Sequence, residues 1–276
     1  QWTPIGSTSR PFYGSINGQG HSISGLYCKA NSLIGFIGYM EGHVDEHTKT
    51  IQRDSISHLT ILDSYFTTDD TESHNGYVGA FVAMAKKGVV IYNCNAYGTV
   101  NGKNHNIIGG IAGLMSDSCI VQNCTNHAKI SGYDNVGGII GLTEGTEIVY
   151  CANKGTVSSK GSRLGGVAGY ATKRAYIRYS YNAEKVSNTN STSGAMINAG
   201  GIVGALEDGI VDNCYNTALV SVKADNVGGI AGQMRGLEDG NSTRISNCYT
   251  SKTPTGLIKS TSCIVPSNVH GEVVNC

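Results

Sequence analysis

Few residues of this sequence have the type and spacing that chemistry requires, and the first candidates form a histidine-rich segment. His43-Val-Asp-Glu-His47 matches the H-x-x-E-H zinc motif, in which two histidines one helical turn apart bind the metal beside a glutamate. That motif needs a helix and a third ligand, whereas this segment follows Gly42 in a polar stretch. We expect a solvated loop here, with a catalytic or an adventitious metal site as the alternatives.

Two acidic segments are the next candidates. Asp69-Asp70 and Glu238-Asp239-Gly-Asn241 could offer oxygen ligands to calcium, but neither has the spacing of a calcium-binding loop. No Gly-x-Ser-x-Gly motif, phosphate loop or Cys/His nucleophile pair is present. We therefore expect exposed turn residues at both segments, and we predict no catalytic residue, no metal ligand and no cofactor.

Cysteine is abundant, with nine residues, and most of them recur at a regular interval. A disulfide framework would not place one cysteine in each repeat, because each bridge must join two different places. The spacing favours a structural ladder of buried free thiols, each acting as a small apolar side chain. Pairing between neighbouring turns and metal binding remain the alternatives. The ladder comprises Cys94, Cys124, Cys151, Cys214 and Cys248.

The elements that position these residues are copies of one unit, typified by the stretch from Val136 to Val157. It contains a double glycine between aliphatic residues, a polar turn, an aliphatic residue three positions before a cysteine, and a Gly-x-Val ending. The copies follow one another with a period of about 28 residues, which indicates a repeat architecture. The paired glycines are Gly109 and Gly110, Gly137 and Gly138, Gly165 and Gly166, Gly200 and Gly201, and Gly228 and Gly229.

The local pattern predicts an all-β fold rather than a helical repeat. A glycine pair would cost each helix about 1 kcal/mol per glycine. Each copy instead holds three short runs rich in β-branched residues, Val136 to Ile140, Glu147 to Tyr150 and Gly155 to Val157. Three short strands per repeat predict one coil of a β-solenoid. The aliphatic columns on either side of the double glycine have opposite parity, so a corner must lie there.

The same parity argument predicts a second corner near the Asn before each Cys. Cys and the Asn two positions later then face inward, and stacked Asn side chains can hydrogen-bond from coil to coil. The residue between them faces outward, and in three successive copies it is Tyr181, Tyr215 and Tyr249. Coils stack about 4.8 Å apart, so these phenols predict an exposed aromatic ladder for a sugar or a partner protein. The alternative is that they merely cover the wall.

These residues resemble a known family. Gly200-Gly-Ile-Val-Gly204, followed by Gly209-Ile-Val-Asp-Asn-Cys-Tyr-Asn216, is similar to the bacterial GLUG repeat. Gly228-Gly-Ile-Ala-Gly232 with Ile245-Ser-Asn-Cys-Tyr249 also resembles it, as does the opening Phe12 to Leu26. The resemblance implies a right-handed parallel β-helix in a secreted or surface-anchored bacterial protein. Such repeats occur in adhesin-like proteins and, as accessory parts, in zinc metallopeptidases that cleave immunoglobulin A.

Length and composition agree with one β-solenoid domain across residues 1–276. We expect polar excursions with a returning strand at 39–76 and a surface insertion at 187–199. The sequence stops at Asn275-Cys276 in mid-repeat, which predicts a fragment of a longer array. The 20 basic and 20 acidic residues balance, so nucleic acid is not an expected partner, and no apolar window is long enough for a membrane span.

Three functions remain open at this point. The favoured one is a non-catalytic module for adhesion, ligand binding or spacing, with a host protein, a glycan or other domains of the same chain as partner. The second is an accessory, substrate-presenting domain of a secreted metalloprotease that cleaves a host glycoprotein such as immunoglobulin A. The third is a polysaccharide-active β-helix enzyme, which needs carboxylates clustered on one outward face.

Overall fold

The computed structural model describes residues 1–45, 47–48, 50–68, 76–188, 197–223, 226–237, 243–256 and 261–276. Within these ranges the regular structure is entirely β, so they contain no helix that could cross a membrane. The strands of successive coils pair in parallel in four long sheets, apart from one small antiparallel hairpin. The predicted parallel β-solenoid is confirmed.

One coil shows how the four sheets are connected. Val136–Gly137 belongs to sheet 1, Ile140–Glu144 to sheet 2 and Glu147–Val149 to sheet 3, and Ala152–Asn153 and Val157–Ser159 both belong to sheet 4. The coil thus has five short strands rather than the predicted three. The first apolar run splits because the glycine corner divides it, and a two-residue strand too short to give a periodic signal precedes the last run.

Among the described residues, sheets 1 and 2 each contain eight strands. The strands of sheet 1 are Leu33–Ile34, Tyr77–Gly79, Ile107–Gly109, Val136–Gly137, Arg163–Gly165, Asn198–Gly200, Asn226–Gly228 and Thr261–Ser262. The strands of sheet 2 are Ile37–Glu41, Val82–Lys86, Ala112–Ser116, Ile140–Glu144, Ala168–Thr172, Val203–Glu207, Ala231–Arg235 and Ser267–Val269.

In the part of the chain that the structure describes, sheet 3 has nine strands and sheet 4 has thirteen. The strands of sheet 3 are Ile16–Asn17, Ser55–Ser57, Val90–Tyr92, Ile120–Gln122, Glu147–Val149, Ala175–Arg178, Gly209–Asp212, Arg244–Ser246 and Glu272–Val274. Those of sheet 4 are Ser22–Ser24, Tyr27–Ala30, Thr60–Thr68, Asn95–Asn101, Thr125–Asn126, Lys129–Gly132, Ala152–Asn153, Val157–Ser159, Tyr181–Asn182, Val186–Asn188, Tyr215–Asn216, Val220–Ser221 and Tyr249–Thr250.

The corner between sheets 1 and 2 lies at the double glycine, and neither position has room for a side chain. A Cβ on Gly137 would lie 2.0 Å from the carbonyl oxygen of Ile140. A Cβ on Gly138 would lie 2.1 Å from the oxygen of Gly166 and 2.4 Å from Cγ of Asn153. The other four pairs are crowded in the same way. Glycine is therefore required here by close packing of successive coils, not by a positive φ.

The second corner lies between sheets 3 and 4, at the residue before each Cys of the ladder or its replacement Ser180. These residues take left-handed backbone conformations, with φ of 51–53° at the four asparagines Asn93, Asn123, Asn213 and Asn247. Asn tolerates this region better than other residues that carry a side chain. The same conformation recurs at Tyr150 and Tyr179, with φ of 54° and 49°, so at these two positions the repeat geometry overrides residue preference.

A ladder of asparagines closes the interior next to the glycine corner. Asn126 donates to Oδ1 of Asn153 at 2.8 Å, Asn153 donates to Asn182 at 2.7 Å, and Asn182 donates to Asn216 at 2.8 Å. All four side chains are fully buried. Each amide also bonds backbone groups within its own turn, as Asn153 does with the oxygen of Gly155. The predicted coil-to-coil hydrogen bonds are present.

The core is one continuous column of aliphatic side chains. Residues on both sides of the double glycine are fully buried, such as Val136 and Ile139, and so are Ile148 and Val157 at the other two predicted inward positions. The segment 39–76 leaves this column later than expected, because Tyr39 to Glu41 complete a buried strand of sheet 2. Of the expected insertion at 187–199, residues 189–196 lie outside the described part of the chain.

Candidate functional site

Three tyrosines on sheet 4 form a stacked column on the outside of the solenoid, which we call the tyrosine ladder. Tyr181 pairs in register with Tyr215, and Tyr215 pairs with Tyr249. The ring centroids of Tyr181 and Tyr215 lie 4.8 Å apart with planes inclined by 3°, and those of Tyr215 and Tyr249 lie 5.3 Å apart at 7°. Ring spacing therefore follows strand spacing, as expected for one residue repeated in consecutive coils.

The two-residue strands explain why these rings point outward. Successive side chains of a strand alternate between its two faces. Asn182 and Asn216 belong to the inner ladder and are fully buried, so the tyrosine that precedes each must face solvent. Tyr249 is the most exposed of the three, with 55% of its surface accessible. The inner asparagines thus fix both the register and the orientation of the outer rings.

The stack ends at Tyr181 on its N-terminal side. In the coil before Tyr181 the residue in register is Ala152, which has no ring to continue the stack. The middle ring, Tyr215, presents mainly its edge, because Tyr181 and Tyr249 stack on its two faces. A flat apolar face beside a row of hydroxyl groups is suited to a sugar ring or to an aromatic side chain.

A second aromatic stack lies at the adjacent corner and was not anticipated from the sequence. Tyr150 and Tyr179, which replace the corner asparagine, stack with centroids 5.0 Å apart and are 55% and 43% exposed. Arg178 lies with its guanidinium carbon 6.0 Å from the Tyr179 ring centroid. The sequence carries a signal for this stack, since both tyrosines occupy the same position in consecutive repeats, where other copies have Asn.

The electrostatics of the tyrosine ladder favour a neutral ligand. Burial between its neighbours raises the pKa of Tyr215, and the adjacent phenols Tyr181 and Tyr249 add to the increase. The middle ring is therefore a neutral phenol at physiological pH. It can donate and accept hydrogen bonds through its hydroxyl group but carries no charge to attract an ion.

The cysteine ladder lies inside the same corner. Cys94, Cys124, Cys151, Cys214 and Cys248 are all buried and unbridged. Cys151 is typical: its thiol donates to the carbonyl oxygens of Val149 at 3.4 Å and of Val121 in the preceding coil at 3.5 Å. Burial raises the pKa of Cys124 well above its usual range. Cys124 is therefore a protonated packing group rather than a nucleophile.

The histidine-rich segment lies on the antiparallel hairpin, where His43–Val44 pairs with Ile51–Gln52. This geometry does not place two histidines one helical turn apart. Asp45 instead accepts hydrogen bonds from the backbone nitrogens of His47 and Thr48, as in an ordinary turn. Glu46 lies outside the described residues, as do Asp69, Asp70 and the segment Glu238 to Asn241. Within the described ranges no three His, Cys, Asp or Glu side chains are grouped to hold a metal ion.

Outward carboxylates on sheets 2 and 3 are occupied by neighbouring coils. Glu144 pairs with Lys173 at 2.8 Å, and Glu147 pairs with Arg178. Asp212 accepts hydrogen bonds from Ser246 at 2.6 Å and from Asn247 at 3.0 Å. A glycosidase needs two carboxyl groups that face one substrate bond. These carboxylates are instead tied to partners in the next coil, so they hold the wall together.

Comparison with known proteins supports the fold. No family model matches the sequence, and a search of curated proteins also gives no match. The chain is similar in structure to one described as a putative immunoglobulin A1 protease from Bacteroides ovatus, with a TM-score of 0.57 and 18% identity. The match covers 99% of this chain and 72% of that chain. At this level of identity the similarity establishes a shared architecture.

Proposed function

We propose that this chain is a non-catalytic recognition module of a secreted or surface-anchored bacterial protein, and that its ligand packs against the tyrosine ladder. One observation carries the proposal: Tyr181, Tyr215 and Tyr249 stack in register on an outer face, where no contact within the chain requires aromatic rings. The similarity to GLUG repeats of adhesin-like proteins agrees with this role. The ligand class that fits a neutral, hydroxyl-edged aromatic row is a glycan.

The test is binding of the purified chain to arrays of host glycans and matrix proteins, in the presence and absence of a chelator. The triple variant Tyr181→Ala, Tyr215→Ala, Tyr249→Ala should lose affinity at least about tenfold, which corresponds to 1.4 kcal/mol. The triple phenylalanine variant should retain most of the affinity, because the ring faces remain. Loss in the phenylalanine variant as well would assign recognition to the hydroxyl groups.

A matched control is available on the same sheet. Tyr97 stacks on His127 with centroids 4.3 Å apart, in coils that precede the tyrosine ladder. Tyr97→Ala therefore removes a stacked, partly exposed tyrosine of sheet 4 without touching the ladder, and should leave binding unchanged. If the triple alanine variant binds every ligand of the wild type with equal affinity, the ladder is only wall covering and the proposal fails.

The second candidate is an accessory domain of a secreted protease, which presents substrate to a catalytic part elsewhere. The observation that favours it is the structural similarity to the putative immunoglobulin A1 protease. Binding of the purified chain to immunoglobulin A1, measured by surface plasmon resonance against immunoglobulin G as control, tests this role. Selective binding to immunoglobulin A1 supports it, and equal or absent binding to the two proteins counts against it.

A further inference from the structure

A groove runs along the outside of the glycine corner, on a different part of the wall from the tyrosine ladder. Its two sides are the outward residues of sheets 1 and 2. In the N-terminal coils these residues are apolar and pack against one another, so that Tyr39, Met84 and Leu114 are only 7–8% exposed. The other apolar members are Leu33, Tyr77, Ile107 and Leu142. In this half the groove is filled by the protein itself.

The same positions become polar in the C-terminal coils. On sheet 1, Arg163, Asn198 and Asn226 follow one another in register. On sheet 2, Leu142 is followed by Tyr170, then Ala205, then Gln233. The residues Ser162, Arg163, Asn198, Asn226 and Gln233 line a cavity of about 270 Å³. The groove therefore opens where large apolar side chains give way to amides.

The three amides of this cavity are locked into one orientation. Asn226 donates to Oδ1 of Asn198 at 2.8 Å, and Asn198 donates to Oε1 of Gln233 at 3.0 Å. This relay leaves Nε2 of Gln233 and Oδ1 of Asn226 without a hydrogen bond to the described residues. The free N–H donors of Gln233 and the free acceptor of Asn226 thus lie at the two ends of a fixed row, a pattern that complements adjacent hydroxyl groups.

The charge of the cavity is balanced. Arg163 lies over the Tyr170 ring at 4.4 Å from its centroid, donates to Oδ1 of Asn135 at 3.3 Å and lies 3.8 Å from a carboxylate oxygen of Asp134. The Tyr170 hydroxyl donates to Glu207. Arg163 and Glu207 are therefore both engaged by other residues of the wall. What the cavity presents to a ligand is a row of oriented, uncharged amides.

From this geometry we infer that the cavity is a second binding site, for a neutral saccharide unit whose adjacent hydroxyl groups bond Gln233 and Asn226. The volume lies just below the range of about 300–1,000 Å³ for small-molecule sites and matches a ligand of one sugar ring. Arg163 on Tyr170 forms the wall at the N-terminal end. The site is independent of the tyrosine ladder and binds its ligand whether or not the ladder binds one.

The test uses saturation-transfer NMR on the whole chain with glucose, galactose, mannose and N-acetylglucosamine as probes at millimolar concentration. The wild type should show transfer to at least one of these sugars. Asn198→Leu should abolish it, because this change removes the central amide of the relay and places an apolar side chain in the lining of the cavity. Circular dichroism and thermal unfolding check that the variant is folded.

A second variant removes a hydrogen bond without filling the cavity. Gln233→Ala deletes the free donor at the end of the amide row and should weaken binding about fivefold to tenfold, as expected for one hydrogen bond. The measurements are repeated in the triple alanine variant of the tyrosine ladder, where saturation transfer that still depends on Gln233 belongs to this site and not to the ladder. The inference is overturned if no probe sugar binds the wild type, or if Asn198→Leu and Gln233→Ala both bind as the wild type does.

Discussion

Tyr181 and Asn182 are neighbours in one two-residue strand, as are Tyr215 and Asn216 one coil later. Each pair contributes to two ladders on opposite faces of the same backbone. The inner amides are fully buried and hydrogen-bonded from coil to coil at 2.7–2.8 Å. The outer rings stack at 4.8–5.3 Å and remain open to solvent. The structural role of the amides and the solvent-facing position of the rings differ only in which face of the strand each side chain occupies.

The difference shows how a solenoid divides structure from recognition. An inner residue must satisfy its neighbours above and below, because an unpaired polar group in the interior costs about 1–3 kcal/mol. The inner column is therefore nearly uniform, with Asn in four consecutive coils and Thr250 accepting the bond from Asn216. The outer column has no such constraint and runs through Asn95, Thr125 and Ala152 before the tyrosines begin. Variation along the outer face is where binding can be selected.

Among the inward, structural positions, the glycine corner should give the largest loss in the free energy of unfolding. Gly138→Ala should destabilise the protein by at least about 4 kcal/mol, because its Cβ would enter the spaces of the Gly166 oxygen and the Asn153 side chain. Urea denaturation gives the free energy of unfolding. Gly25→Ala is the control, since Gly25 has a φ of +74° but no atom within 4 Å, and should cost only about 1–2 kcal/mol. Equal effects would contradict the packing argument.

The amide ladder should give the next largest loss in the free energy of unfolding. Asn153→Ala removes the bond to Asn182 and the bond from Asn126, and leaves the backbone oxygen of Gly155 unpaired. We expect a loss of about 3–4 kcal/mol in the free energy of unfolding. Lys154→Ala, an exposed change at the next residue, should stay within about 0.5 kcal/mol. A loss below 1 kcal/mol for Asn153→Ala would show that the ladder is dispensable.

Alkaline pH should also destabilise the protein through a buried group of the interior. Burial raises the pKa of Cys119 to about 12. Since the folded-state pKa exceeds the unfolded one, this thiol stabilises the fold fully below the unfolded pKa, and its contribution disappears as pH rises toward 12. Between pH 9 and pH 11 the loss is about 2.5 kcal/mol. Comparing urea unfolding of wild type and Cys119→Ala across this range tests the claim: the variant should lose less stability, and identical pH profiles would refute it.

The outer ladder should give the smallest effect on stability. Tyr215→Ala removes two ring contacts and should cost about 1 kcal/mol, since a stacked pair contributes about 0.5–1.5 kcal/mol and these rings are partly solvated. The same change should cause most of the binding loss of the triple alanine variant. If Tyr215→Ala instead destabilised the fold as much as Asn153→Ala does, the distinction between an inner structural ladder and an outer recognition ladder would collapse.

Much of the fold was predictable from the sequence because every coil repeats the same constraints. The period, the glycine corners, the inward aliphatic columns and the buried asparagines follow from residue types that recur at fixed offsets. The strand count was harder to predict, since a two-residue strand such as Ala152–Asn153 carries no periodic signal. The start of the first excursion was placed too early, because Tyr39 and Glu41 look polar in sequence but are buried between coils.

The tyrosine ladder and the groove illustrate what each source of information decided. The sequence alone determined that Tyr181, Tyr215 and Tyr249 share one outward column, because strand alternation and the repeat length leave them no other place. Only the tertiary structure decided that Asn198, Asn226 and Gln233 form one relay. These residues come from two sheets that meet outside the glycine corner, and the angle between sheets is set by how closely successive coils pack. No pattern along the chain shows that these two sheets bring the three residues together.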